Sequence, residues 1–479
     1  MKKPVITGLI LLVLVLCSSA QQKKVLTLQE CIEIAVENNL SVQRSQLNLE
    51  TSRVNFEQSK GQRYPTLNVN GNYGFNWGRG IDPTTNQFTT QRINFNGLGA
   101  NSSMPLIQGL QTTNSIRQSK LDVESSELDV QKAINDISLS ISLTYLNVIF
   151  NKELLENARF QLESGEQQLD RTKKLVESGA LPVSNELQLI SQVATNEVNL
   201  ITAENNLDLA LLSLKQALLL PTGEDIDIVI PEIEIDQAVI EESSIEDIYK
   251  SAIASQPEIE SADKRVESAN LGLAVSRGGM LPTLNLNGSV NTNYSDAAKD
   301  RELLGFEFNG ETNQTFFQTE TGIDIVERGV DFEFSEKTTP ISTQYDENFR
   351  KSLSVGLFIP IFNGFNARSS VQRSKIAVQQ AEISSVEQRN ILYQSIESAY
   401  RNAVAAAKTF SASQKQVAAL EETFRSIENQ YNLGSSNFTD YQVASNNLFQ
   451  ARSDLSRAKY DFIFKQKVLD FYEGKPLSF

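Results

Sequence analysis

Tyr64-Pro65-Thr66-Leu67-Asn68-Val69-Asn70-Gly71 returns 217 positions later as Leu281-Pro282-Thr283-Leu284-Asn285-Leu286-Asn287-Gly288. A second signature, Met104-Pro105-Leu106-Ile107-Gln108-Gly109-Leu110, returns after 255 positions as Ile359-Pro360-Ile361-Phe362-Asn363-Gly364-Phe365, and Gly179 and Gly434 keep that spacing. Each half therefore reads as helix, Pro-opened strand, Pro-closed strand, very long helix, Gly-marked turn and return helix. Self-similarity on this scale describes an internally duplicated chain. The first repeat is expected over 21–235, with a strand pair at 65–105, a long helix at 107–178 and a return helix at 184–220. The second is expected over 236–479, with a strand pair at 282–360, a long helix at 363–433 and a return helix at 439–470.

From Leu67 onward the residues alternate. Leu67, Val69, Tyr73, Phe75 and Trp77 fall on one side with Gly71 among them, and Thr66, Asn68, Asn70, Asn72 and Asn76 on the other. The second copy sets Leu284, Leu286, Val290 and Tyr294 against Asn285, Asn287, Ser289, Asn291 and Asn293. Period-two alternation gives one apolar and one polar face. A soluble sandwich shares that pattern. A polar face made almost wholly of Asn, a poor strand former, suits a wetted lumen with lipid outside, so Asn68, Asn70, Asn285 and Asn287 are candidate lumen-facing residues. Partner strands are expected near 91–104, where Gly97 and Gly99 suggest a bulge, and near 344–359. Pro65, Pro105, Pro282 and Pro360 are expected at strand–helix junctions, where proline ends hydrogen-bond ladders.

Four strands do not close a barrel, and lipid offers open edges no hydrogen-bond partner, so closure calls for further copies. Two chains give eight strands and a filled interior. Three give twelve and leave a passage. An insertion at 295–343 carries eleven Asp and Glu against four Lys and Arg between Asp296 and Lys337, and reads as an external acidic loop or cap.

The N-terminus is Met1-Lys2-Lys3, then an apolar run to Leu16 and the small residues Ser18-Ser19-Ala20, which reads as a signal peptide over 1–20. Cys17 would permit lipidation, but Leu16 stands where such sites want a small residue; export is the conclusion. After cleavage only Cys31 remains, so no intrachain disulfide is available. The chain has no histidine, which removes Ser-His-Asp and Cys-His catalysis and the commonest metal ligand. No cofactor is expected. Loss of Lys2 and Lys3 takes the formal charge from −16 to −18, and a chain so acidic is a poor partner for nucleic acid. After the signal no apolar stretch is expected to approach the roughly 20 residues of a membrane helix.

Between Pro105 and Gly179 there is no proline, and Ile134, Ile141, Val148, Leu155, Leu162, Leu169 and Val176 recur every seven residues. The 255 offset gives Arg389, Ile396, Ala403, Phe410, Val417, Phe424 and Tyr431; Leu200, Leu207 and Leu214 similarly match Leu455, Phe462 and Leu469. A seven-residue period predicts coiled-coil packing with left-handed supercoiling. About 70 residues at ~1.5 Å each make a rod of ~105 Å, longer than a globular core needs.

Taken in order, the duplicated Pro-strand signatures and the two Gly-marked turns resemble those of TolC-like outer-membrane efflux proteins, the outer component of tripartite pumps and type I secretion systems. The likeness runs from about Leu26 to Tyr472. It implies a mainly α fold with transmembrane β: a homotrimer sharing a twelve-stranded β-barrel in outer-membrane lipid, with a coiled-coil helical barrel as a periplasmic tunnel. Residues from Pro221 to Asp236, with the stretch after Phe471, resemble the mixed belt around that tunnel. The resemblance further implies that the turns form a periplasmic tip that opens and meets an adaptor protein. The tip residues here are Gly179, Leu181, Val183, Ser184, Gly434, Phe438, Thr439 and Asp440. Ordinary turn chemistry explains the same residues: Gly ends a helix left-handed, and Ser184 and Thr439 are expected as N-caps with Glu186 and Asp440 in the first turn. Asp440 matches one acidic ring seen at the entrance of some members; Val443 replaces a second acid, and Ser436 an arginine that often locks the tip.

The expected function is a passive export channel served by an adaptor and an inner-membrane pump of RND or ABC type. An outer-membrane stalk or adhesin would share rods and strands, though such stalks usually keep their anchor at one end. Enzyme activity has no support, since neither histidine nor a nucleotide-binding glycine loop is present.

Overall fold

The structure, a computed structural model, describes residues 23–81, 86, 88–90, 92–221, 223–231 and 244–475. The signal peptide with Cys17, and residues 232–236 of the expected belt, lie outside them. The chain divides into two compact units, one of Met1–Asn55, Gln118–Asn270 and Ile376–Phe479, the other of Phe56–Arg117 and Leu271–Lys375.

In chain order the elements are β1 (Lys24–Leu26), α1 (Leu28–Asn38), α2 (Leu40–Gly61), β2 (Thr66–Asn76), β3 (Gly80–Ile81), β4 (Phe88–Thr89), β5 (Ile93–Gln108), α3 (Gln111–Glu177), α4 (Val183–Ala217), β6 (Ile226–Ile228), α5 (Ile245–Ser255), α6 (Pro257–Gly278), β7 (Thr283–Ser295), β8 (Lys299–Gln318), β9 (Asp324–Thr338), α7 (Ile341–Glu347), β10 (Arg350–Phe358), α8 (Asn366–Asn432) and α9 (Phe438–Tyr472). Lengths match in pairs: 11 residues for α1 and α5, 22 for α2 and α6, 67 for α3 and α8, 35 for α4 and α9. What reads in sequence as one opening helix is two. Asn39 breaks the first and accepts from the Ser41 amide at 2.8 Å, and Pro257 begins α6, where its missing N–H costs nothing.

Within the helical unit the heptad stripe is the core. Ile141 and Val148 are fully buried with Tyr145 and Ile149, packed with Leu214 of α4 and Ile463 of α9. Phe410 stacks on Phe462 with ring centroids 5.9 Å apart. Arg389, the polar member of the second stripe, pairs with Asp263 of α6 at 2.8 Å and with Ser385. The short parallel pair β1–β6 lies against this core, where the Tyr145 hydroxyl donates to the carbonyls of Val229 and Leu26. Here α3 also departs from expectation. One of its windows is long and apolar enough to cross a membrane by length and composition, with a mean hydropathy of 1.3, and 39% of that window is buried within the chain.

The other unit holds a four-stranded antiparallel sheet in the order β10-β7-β5-β2. Registers such as Asn68↔Asn101↔Ser289↔Ser352 bring polar residues of all four strands together on one face. The opposite face is mainly apolar, and at its Leu67, Val69 and Leu353, which are 74%, 78% and 77% exposed, no described residue covers it. A sandwich within one chain would bury them.

Several boundaries move. No register shift occurs at Gly97 or Gly99; the irregularity falls between Pro105 and Ile107, where Pro105 has no N–H to give the ladder. Pro105 is thus inside β5 rather than at its end. The chain turns into the long helices at Gly109–Leu110 (φ 54° and 62°) and Gly364–Phe365 (φ 62° and 66°), so the helices begin at Gln111 and Asn366, not 107 and 363. At Gly109 a Cβ would lie 2.6 Å from the Gly278 carbonyl, so only glycine fits. The strand expected from 344 begins at Arg350, because residues 341–347 form α7. Its Gln344 bonds the backbone of Ser295 and Thr339, and its Tyr345 hydroxyl donates to Asn96. The insertion at 295–343 is a long β8–β9 hairpin rather than an open loop.

Candidate functional site: the helical turns and the polar sheet face

Helix α3 ends in a two-bond C-terminal cap. Gly179 donates to Val176 at 2.9 Å, and Ala180 to Leu175 at 2.8 Å. Helix α8 repeats it, Gly434 donating to Tyr431 at 3.0 Å and Ser435 to Gln430 at 2.9 Å. This pairing satisfies the last helical carbonyls and needs a left-handed residue at its centre. Gly179 and Gly434 supply it, with φ of 75° and 76°.

The return helices start one residue earlier than expected, which corrects the caps. Helix α4 opens at Val183 after Pro182, with no side-chain cap, and α9 opens at Phe438 with Asn437 as N-cap, its side chain accepting from the Asp440 amide at 2.9 Å. Ser184 and Thr439 lie inside the first turn. Asn437 was legible, since Asn is among the strongest N-cap residues; the neighbouring hydroxyl residue obscured it.

The two turns differ in what they expose. Gly179, Val183, Ser184, Gly434, Thr439 and Asp440 are solvent-exposed and Leu181 is half-buried. Val183 is 60% exposed, whereas Phe438 at the matching position is 4% exposed. Phe438 packs with Leu189, Tyr431 and Tyr441 and so holds the turn together instead of presenting a contact. Tyr431 stacks on Tyr441 at 5.1 Å, and burial, helped by the charge of Glu428, pushes the Tyr441 hydroxyl up to about 12. Two hydroxyls here, on Thr172 and Tyr431, are buried with no partner among the described residues.

Amides stitch α3, α4 and α9 together next to this cluster. Gln442 donates to Gln192, Gln192 to Asn196 at 2.9 Å, and Asn196 to the Gln161 carbonyl at 3.1 Å. Arg171 reaches Asn432 across the paired hairpins at 3.2 Å. A cavity of about 380 Å³ lies among them, lined in part by Gln161, Gln192, Glu421 and Tyr441. Sequence reading singled out none of these amides, because a buried Gln or Asn inside a long helix has no local signature.

On the sheet, Asn68, Asn70, Asn285 and Asn287 share the polar face. Ser103 donates to Asn287 at 2.9 Å, and Ser289 and Ser352 hydrogen-bond at 2.8 Å. Cross-strand hydroxyl and amide pairs of this kind stabilise a sheet without charge.

Comparison with known proteins agrees with this architecture. The chain is 24% identical over 340 residues to outer membrane protein TolC of Escherichia coli (strain K12), a match covering 68% of this chain and 59% of that relative. Among solved structures, that of CusC aligns with a TM-score of 0.72 at 15% identity, covering 94% of this chain and 92% of the other. The outer membrane protein VceC of Vibrio cholerae aligns at 0.71 and 13% identity, covering 94% and 97%. The family model described as outer membrane efflux protein matches residues 31–218 and 248–472, and by that match the chain belongs to the outer membrane efflux protein family and resides in the outer membrane.

Proposed function

We propose that three copies of this chain, internally duplicated in its architecture, form a passive export duct. Each copy contributes four strands, and β10 of one pairs with β2 of the next to close a twelve-stranded barrel in the outer membrane. The observation that carries the reading is the sheet itself. Among the described residues it has two unpaired edges and an apolar face whose Leu67, Val69 and Leu353 stay exposed, and lipid tolerates apolar surface but not open edges. Duplication is supported by helices of equal length recurring at offsets of 217 and 255.

In this reading the rods prolong the barrel as a periplasmic tunnel, and the turns at Gly179 and Gly434 are the tip that meets an adaptor and, through it, an inner-membrane pump of RND or ABC type. The exposed Val183, Ser184, Thr439 and Asp440 form the contact surface. Two buried hydroxyls near the turns, on Thr172 and Tyr431, have no hydrogen-bond partner among the described residues, a cost that suits a part that must open. The solutes that pass are those the pump delivers, small molecules or polypeptides. The stalk reading is not favoured, since the family is one of efflux proteins.

Cysteines at Val355 in β10 and Val69 in β2 test the assembly. Both strands are edges, so oxidation should join neighbouring copies into a covalent trimer. Material that stays monomeric in detergent, with no cross-link at any register along these edges, would end the proposal.

A further inference from the structure

We propose that Arg350 sets the charge preference of the barrel: one copy from each chain forms a positive ring in an otherwise neutral wall, and that ring favours anionic solutes. The inference rests on the duct reading above.

Across β2, β5, β7 and β10 there are two charged residues, Arg350 and Lys351, side by side on the edge strand. Neighbouring residues of a strand point to opposite faces, and the register decides which is which. Arg350 stands opposite Asn291, then Gly99, then Asn70, so it lies on the polar face. Lys351 stands opposite Val290, Ala100 and Val69, on the apolar face, where its ammonium lies 5.0 Å from the Phe349 ring centroid. The rest of the polar face is amide, hydroxyl and glycine along most of its length: Thr66, Asn68, Asn101, Asn287, Ser289 and Ser352 surround a shallow pocket with no acid in it.

Arg350 is exposed and has no ion pair among the described residues. A guanidinium stays ionised at any physiological pH. No residue of the four strands is a carboxylate. The acids nearest in sequence, Asp346 and Glu347, are exposed at the end of α7, and they and mobile salt weaken the guanidinium's field without pairing with it. Rings of one sign in a pore bias which ions enter, as Arg and Lys rings do in anion pores. The sign runs against the composition. The chain carries −16 overall, and the hairpin that leads toward β10 is strongly acidic. A wall that simply followed the average would favour cations.

Full-length wild type, R350K, R350Q and R350E are compared in planar bilayers. The reversal potential is measured across a KCl gradient near about 10 mM, where the Debye length is about 30 Å, and again near 1 M, where it is about 3 Å. R350K should match wild type. R350Q should raise the potassium-to-chloride permeability ratio on the order of two-fold at low salt, and R350E should raise it further, with both effects shrinking at high salt. Inorganic pyrophosphate added on the barrel side should reduce current in wild type and R350K and do so less in R350Q. Equal ratios and equal pyrophosphate sensitivity in four conducting proteins would overturn the role of Arg350 and leave the duct standing. A wild type that carries no current at either salt would overturn the duct, and the ring with it.

Discussion

At Gly179 and Gly434 the backbone takes φ near 75°, and a Cβ built at either position meets no atom within 4 Å. Space is therefore not the constraint; the backbone is. A β-branched residue there forces a left-handed conformation that costs about 1–2 kcal/mol. The double variant Gly179→Val, Gly434→Val should reach the outer membrane in the same oligomeric state as wild type, unfold its helical part earlier by that order, and export poorly if the turns form the proposed tip. Normal export would remove these turns from the tip role.

Cys31 shows the opposite case, a residue fixed by burial. It is fully buried, and desolvation, with Glu30 adding, pushes its thiol from 9.0 up to about 12. A folded value above the unfolded one means this group contributes its full stability below pH 9.0 and loses it as pH rises toward about 12. Maleimide at about pH 8 should label Cys31 only in unfolded protein, since the reactive thiolate is suppressed and covered. Rapid labelling of the native protein would contradict the burial.

Elements separate into those that local pattern specifies and those it does not. The heptad stripe and the alternation in β2 and β7 were legible because one face of each element must be apolar whatever its partner is. The same alternation makes a sharp expectation. A charge at Leu67, Val69, Leu284 or Leu286 should block membrane assembly by roughly 2–4 kcal/mol each near the midplane, read as the fraction of protein recovered in outer membranes. A charge at Asn68 or Asn285 should be tolerated, and equal loss from both faces would mean the faces are assigned the wrong way round. Where β5 ends was not legible. Pro105 looks like a terminator, yet the ladder absorbs it with a register shift, and the turn falls at Gly109–Leu110. Within the insertion, which reads as an external loop or cap, the segment Ile323 to Phe334 looks strand-forming and falls almost wholly in β9. Its partner β8 was not singled out, because that pairing depends on register rather than on local pattern. Helix α7 was invisible in a stretch that shares its neighbours' composition, since seven residues hold too little periodicity to declare a helix.

On the scale of the whole molecule, the sequence by itself determined the repeated order of strand pair, long helix, turn and return helix, because Pro, Gly and two hydrophobic periods act on the local backbone. It also excluded histidine chemistry and a disulfide, which are matters of inventory. Only the tertiary structure decided that Phe438 is inside and Val183 outside, that Arg389 in the apolar stripe answers Asp263, that amides of three helices meet beside the turns, and that Arg350 shares a face with Asn70. Each of these depends on which distant segment lies opposite, and strand register and helix pairing are set by contacts hundreds of residues apart that no local window contains.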